Sequence, residues 1–74
     1  MIEIEFNLHL AAVMGKKRLT LDIGDSISLP QLKARLGLTD HDLGILLIND
    51  AWASLDSVIK DGDSIKIYPF MEGG

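Results

Sequence analysis

Gly73 and Gly74 follow Phe70-Met71-Glu72 at the end of the sequence, and theirs is the most distinctive chemistry in the chain. Two consecutive glycines have no Cβ, so a segment ending in them can lie extended in a narrow channel. The carboxylate of Gly74 is then open to close approach by another protein's backbone and catalytic groups. A loose terminus or a leftover linker could carry the same dipeptide, because chain ends are commonly idle.

Elsewhere, the residues that could do chemistry do not form a set. His9 falls on the polar face of a strand-like segment. His41 lies between Asp40 and Asp42, where the ligand atoms suit a metal but neighbouring side chains diverge and cannot easily close around one ion. Asp61-Gly62-Asp63 is ordinary turn chemistry. No glycine-rich phosphate loop precedes a helix, and no Ser/His/Asp set has a recognisable context. The chain has no cysteine, which excludes a disulfide framework, a thiolate zinc site and a thiol nucleophile. It also fits a reducing cytoplasm. A 74-residue domain has little room for a deep substrate pocket. The expectation is a protein with no catalytic residues, no metal and no bound cofactor.

The net charge of −4 argues against nucleic acid as a partner, since phosphate binding needs a basic footprint. The one basic run, Lys16-Lys17-Arg18, is expected at a solvated hairpin tip. No stretch approaches the ~20 apolar residues of a membrane-spanning helix, and Glu3 and Glu5 stand where a signal peptide would be basic and apolar. An acidic small protein suits a partner with a basic groove.

Seven segments must position these features. Ile2, Ile4, Phe6, Leu8 and Leu10 alternate with polar residues, which predicts a half-buried strand. Leu19, Leu21 and Ile23 predict a second strand, paired with the first as a hairpin across a connection at residues 11–17. Ser28 is a helix N-cap, Gln31 completes a capping box and Pro30 fits the first turn. With Gly37 as the C-terminal stop, these residues predict one helix over 29–36, burying Leu29, Leu32 and Leu36.

The run Leu43 to Ile48 predicts a third strand, turning at Asn49-Asp50 into a short return at 51–53. Ser54 to Lys60 predicts one helical turn burying Leu55, Val58 and Ile59. Ser64 to Tyr68 is the last strand, ended by Pro69. The longest strands, first and last, belong side by side at the centre. The fold class is therefore α+β: a ubiquitin-like β-grasp of ββαββ order, with a mixed sheet of four to five strands and one main helix on one face. A ferredoxin-like split fold would need a second full helix. The domain is expected over 1–69, with a flexible Gly-Gly tail at 70–74.

A sheet covered on one face leaves alternate members of Ile45-Leu46-Leu47-Ile48 on the other. Leu46 and Ile48 are assigned inward, and Ile45 and Leu47 outward as a partner-binding patch. Burial by the chain's own loops or by a homodimer through this face is the alternative. Phe70 and Met71 either pack back on the domain or anchor the tail against another protein.

The segment Val58-Ile59-Lys60-Asp61-Gly62-Asp63-Ser64-Ile65-Lys66-Ile67-Tyr68-Pro69, followed by a short tail to Gly73-Gly74, resembles the C-terminal signature of MoaD/ThiS-type sulfur carriers. Leu47-Ile48-Asn49-Asp50 resembles that family's third-strand turn. The order of elements agrees over essentially the whole chain. The tail Pro69-Phe70-Met71-Glu72 departs from the usual tail of either branch.

The resemblance implies a carrier and not an enzyme. A ubiquitin-activating-type adenylyltransferase would use ATP to adenylate the Gly74 carboxylate. A sulfur donor, such as a cysteine desulfurase or a rhodanese, would convert the adenylate to a thiocarboxylate. A sulfur-accepting synthase of molybdopterin, tungstopterin or thiamine thiazole synthesis would receive the sulfur. Gly73, Glu72, Met71 and Phe70 would be read by the partner. Two alternatives are a ubiquitin-like modifier joined to lysines through Gly74 and a non-covalent interaction module.

Overall fold

The computed structural model describes residues 1–54 and 56–69. Nine elements follow in order: β1 (Ile2–Phe6), α1 (Leu8–Met14), β2 (Arg18–Leu21), β3 (Ser26–Ser28), α2 (Leu29–Leu36), β4 (Ile45–Ile48), β5 (Ala51–Trp52), β6 (Val58–Lys60) and β7 (Ser64–Tyr68).

Five strands form a mixed sheet in the order β2-β1-β7-β4-β5. β1 and β7 lie parallel at its centre, with Ile4 opposite Ile65 and Phe6 opposite Ile67. β2 runs antiparallel to β1, and β4 antiparallel to β7. A separate two-stranded ladder joins β3 to β6, with Ile27 opposite Ile59.

Period-two alternation puts Ile2, Ile4 and Phe6 of β1, with Ile65 and Ile67 of β7, on one face of the sheet, where they are buried. Leu29 and Leu32 of α2 close over them, joined by Leu10, Ile27, Leu38, Leu46 and Ile59. Each such aliphatic side chain contributes roughly 1.5–3 kcal/mol of transfer free energy, so this layer is the main source of stability.

α2 has the predicted bounds. Ser28 Oγ accepts from Gln31 N (3.3 Å), and the Gln31 side chain accepts from Ser28 N (3.1 Å), completing the capping box. Gly37 ends the helix in the left-handed region (φ 70°), a conformation glycine adopts without steric cost.

Three expectations are corrected. The first strand does not run to Leu10. It ends at Phe6, and Asn7 caps a second helix by accepting from Leu10 N through Oδ1 (2.9 Å), with Gly15 closing it. A local side-chain cap competes with continued extension here. Leu10 still reaches the core, but Leu8 is 78% exposed. Lys16 and Lys17 consequently follow a helix and do not form a hairpin tip.

The second strand spans Arg18–Leu21 and stops short of Ile23. Asp22 turns the chain there by accepting from Gly24 N (3.1 Å). Residues 58–60 form a strand and not a helical turn, because β3 offers them a ladder; Ile59 is buried and Val58 is exposed. Leu55 lies outside the described residues.

Candidate functional site

The sheet has one covered and one open face. On the open face, the register sets Ile45 of β4 opposite Tyr68 of β7, and Leu47 opposite Lys66 on one side and Trp52 on the other. The sheet period puts Leu46 on the covered face, where it is buried, and Ile45 on the open one. Ile45 is 38% exposed, Tyr68 37% and Trp52 78%, while Leu47 is half-buried between its neighbours.

These four side chains form an apolar strip across β7, β4 and β5. Sequence reasoning named Ile45 and Leu47 but not Trp52 or Tyr68. The available signal was register: once Asn49-Asp50 is a two-residue turn, Trp52 must stand opposite Leu47.

The other half of the open face is charged. Arg18 donates to Glu5 Oε1 from Nε (3.3 Å) and Nη2 (3.2 Å). Lys66 Nζ donates to Asp50 Oδ1 (3.0 Å). That bond, and the charges of Asp50 and Glu5, hold the Lys66 ammonium above the usual lysine range. Thus the strip is flanked by ion pairs that cross from β2 through β1 and β7 to the β4–β5 turn.

The strip begins at the strand end from which the C-terminal segment departs. Tyr68 O accepts from Gly44 N (2.9 Å), which ties the end of β7 to the start of β4, and Pro69 behind it is buried. At the same end of the sheet, Asn7 N donates to Ile67 O (3.2 Å), bringing the first turn of α1 alongside. The predicted tail residues Phe70, Met71, Glu72, Gly73 and Gly74 lie outside the described residues.

At the opposite end, Asp63 is an organising acceptor. Its carboxylate takes hydrogen bonds from Lys60 N (2.9 Å) and Asn49 Nδ2 (3.0 Å), and Asn49 Oδ1 accepts from Ser64 N (2.9 Å). The Lys60 amide, then the Asn49 amide, hold the Asp63 carboxyl below the usual carboxylate range. The acidic turn at 61–63 therefore fastens the entry of β7 to the β4–β5 turn, and this is a structural role.

Asp42 is likewise held low by hydrogen bonds from Thr39 N (3.1 Å) and Thr39 Oγ1 (2.9 Å), with smaller contributions from His41 and His9. Among the described residues, no group of three His, Asp or Glu side chains is arranged to hold a metal ion.

No protein-family model matches the chain, and no curated protein matches it in sequence. Solved structures do. SAMP1 from Haloferax volcanii, small archaeal modifier protein 1, superposes with a TM-score of 0.70 at 23% identity, covering 99% of this chain and 98% of that one. A candidate molybdopterin converting factor, subunit 1, from Pyrococcus furiosus gives a TM-score of 0.74 at 15% identity, over 92% of this chain and 94% of that one. The chain has the MoaD/ThiS-type β-grasp fold. The thiamine biosynthesis protein ThiS from Geobacter metallireducens agrees, with a TM-score of 0.60 at 22% identity over 97% and 99% of the two chains. In this MoaD/ThiS-type fold, two central parallel strands carry the end of β7 to the edge of an open sheet face. No helix among the described residues is long and apolar enough to cross a membrane.

Proposed function

We propose that the protein is a sulfur carrier of cofactor biosynthesis whose working group is the Gly74 carboxylate. The reading is carried by the position of Gly73-Gly74, a short segment beyond the central strand β7, in a chain with the MoaD/ThiS-type β-grasp fold. The absence of cysteine supports it, since sulfur cannot be stored as a side-chain persulfide.

A carboxylate is a poor electrophile. A separate adenylyltransferase joins it to AMP from ATP with release of pyrophosphate, which supplies a leaving group. The outer sulfur of a donor's persulfide then attacks the adenylate and displaces AMP, giving an acyl disulfide. A second thiol on the donor or the activating enzyme attacks the donor sulfur, forms a disulfide with it and releases the thiocarboxylate, a good sulfur nucleophile for an accepting synthase. Gly73 keeps the channel clear of side chains, and Phe70, Met71 and Glu72 are read by the enzyme. The open-face strip around Ile45 and Leu47 docks the same partners. ATP belongs to the activating enzyme, and the proposed setting is the cytoplasm. The final acceptor is either the molybdenum or tungsten cofactor pathway or the thiamine pathway.

A second reading, a ubiquitin-like modifier joined to lysines through Gly74, is favoured by the likeness to small archaeal modifier protein 1. The two readings part at the product. Intact-mass analysis after incubation with ATP, the activating enzyme and a sulfur donor is expected to show one oxygen replaced by sulfur at the C-terminus. Adducts on lysines of other proteins would favour the modifier. A chain lacking Gly73 and Gly74 that still supports every cellular phenotype would remove both.

A further inference from the structure

The open edge of β2 is complementary to itself. Phe6 N donates to Lys17 O (2.9 Å), whereas Glu3 N donates away from β2 to Asp63 O (3.2 Å). Glu3 is opposite Thr20, and Glu5 opposite Arg18. In an antiparallel ladder these are the pairs without mutual hydrogen bonds. The backbone N–H and C=O of Arg18 and Thr20 therefore point outward from the sheet, where no strand among the described residues lies beyond β2.

The side chains along this edge are polarised. Lys16, Lys17 and Arg18 stand at its start and Asp22 just past its end, while Leu19 and Leu21 are half-buried on the covered side. Lys16 and Lys17 take part in no ion pair among the described residues. An antiparallel copy centred on Thr20 sets Arg18 of each chain opposite Asp22 of the other. It also brings Leu19 of each against Leu21 of the other. Shifting the centre to Arg18 would oppose like charges, which is destabilising.

The side-chain chemistry leaves room for these contacts. Glu5 occupies Nε and Nη2 of Arg18, so Nη1 is available. Gly24 occupies only Oδ1 of Asp22, and Arg35 Nη1 takes the Asp22 backbone carbonyl (2.9 Å).

We propose that β2 is an isologous interface between two copies of this chain. A two-fold axis at Thr20 joins their sheets into one continuous sheet. The edge lies on the far side of β1 and β7 from the Ile45/Leu47 strip, so pairing leaves that strip open in both copies.

The test is a charge exchange read by sedimentation over a concentration series, with amide shifts of residues 18–22 followed in parallel. Wild type is expected to dimerise, with shifts at Arg18 and Thr20 growing with concentration. R18D and D22R each set like charges opposite one another in a self-pair. Each is expected to weaken dimerisation roughly tenfold or more. An equimolar mixture of the two variants restores both opposite-charge pairs and is expected to recover the dimer as a mixed species. Circular dichroism of each variant separates loss of pairing from loss of fold. A wild type that stays monomeric at the highest concentration, or a folded mixture that fails to recover, would overturn the proposal. Neither outcome bears on the chemistry of Gly74.

Discussion

Asn49 carries more structural duty than its place in a turn suggests. It sits at φ 52°, followed by Asp50 at φ 68°, the left-handed pair of a two-residue hairpin turn. Its side chain also bridges Asp63 and Ser64. Asn49→Ala loses both hydrogen bonds and puts a less tolerant residue in the left-handed region, so a loss of about 1–3 kcal/mol is expected in chemical denaturation. Asn49→Gly keeps the backbone conformation but not the bonds, and is expected to fall between wild type and the alanine variant.

The carboxylates of Asp42 and Asp63 make a pH prediction at the same scale. Both are held below their unfolded values, so the stability they contribute is fully present above about pH 4 and is lost as pH falls through the depressed folded values. Thermal melts across the acid range are expected to fall earlier in wild type than in Asp63→Asn, whose side chain does not titrate. Parallel curves would count against the Asp63 contacts.

At the scale of elements, the sequence was most legible where local signals agreed. Ser28, Pro30, Gln31 and Gly37 mark α2 at both ends, and no tertiary contact had to override them. The Asn49-Asp50 turn was legible for the same reason; the central placement of β1 beside β7 was legible from their length and regularity, and the outward direction of Ile45 from the alternation of a one-sided sheet. α1 was not, because Leu8 and Leu10 continue the alternation of β1 and mimic a longer strand. The decisive residues were Asn7 and Gly15, one capping each end, and caps without a strong apolar stripe are a weak signal. β6 was hidden for another reason: three residues become a strand only because β3 lies beside them.

Substitution separates the two readings of the α1 segment. Leu10→Ala is expected to cost about 2–5 kcal/mol, and Leu8→Ala, at an exposed position, to stay within about 0.5 kcal/mol. Equal losses at both positions would restore the continuous strand. For the candidate site, sequence reached the strip's centre at Ile45 and Leu47 but not its flanks, since Trp52 and Tyr68 join it only through register.

At the scale of the whole molecule, β1 and β7 are the only strands among the described residues with a parallel partner, and each is paired on both edges. Their inward amides open only when the core does, so hydrogen exchange is expected to be slowest at Ile4, Phe6, Ile65 and Ile67 and fast at β5. Slow exchange centred instead on the β3–β6 ladder would place the stability elsewhere.

The insertion of β7 between β1 and β4 also orders events in time. β7 is the last described element in chain order, so during synthesis one edge of β1 and one edge of β4 stay open until it arrives. The face on which Tyr68, Ile45 and Leu47 meet does not exist before that docking. A partner that grips this face before handling any group beyond β7 therefore inspects the finished fold first. Incomplete or misfolded copies offer such a partner no surface.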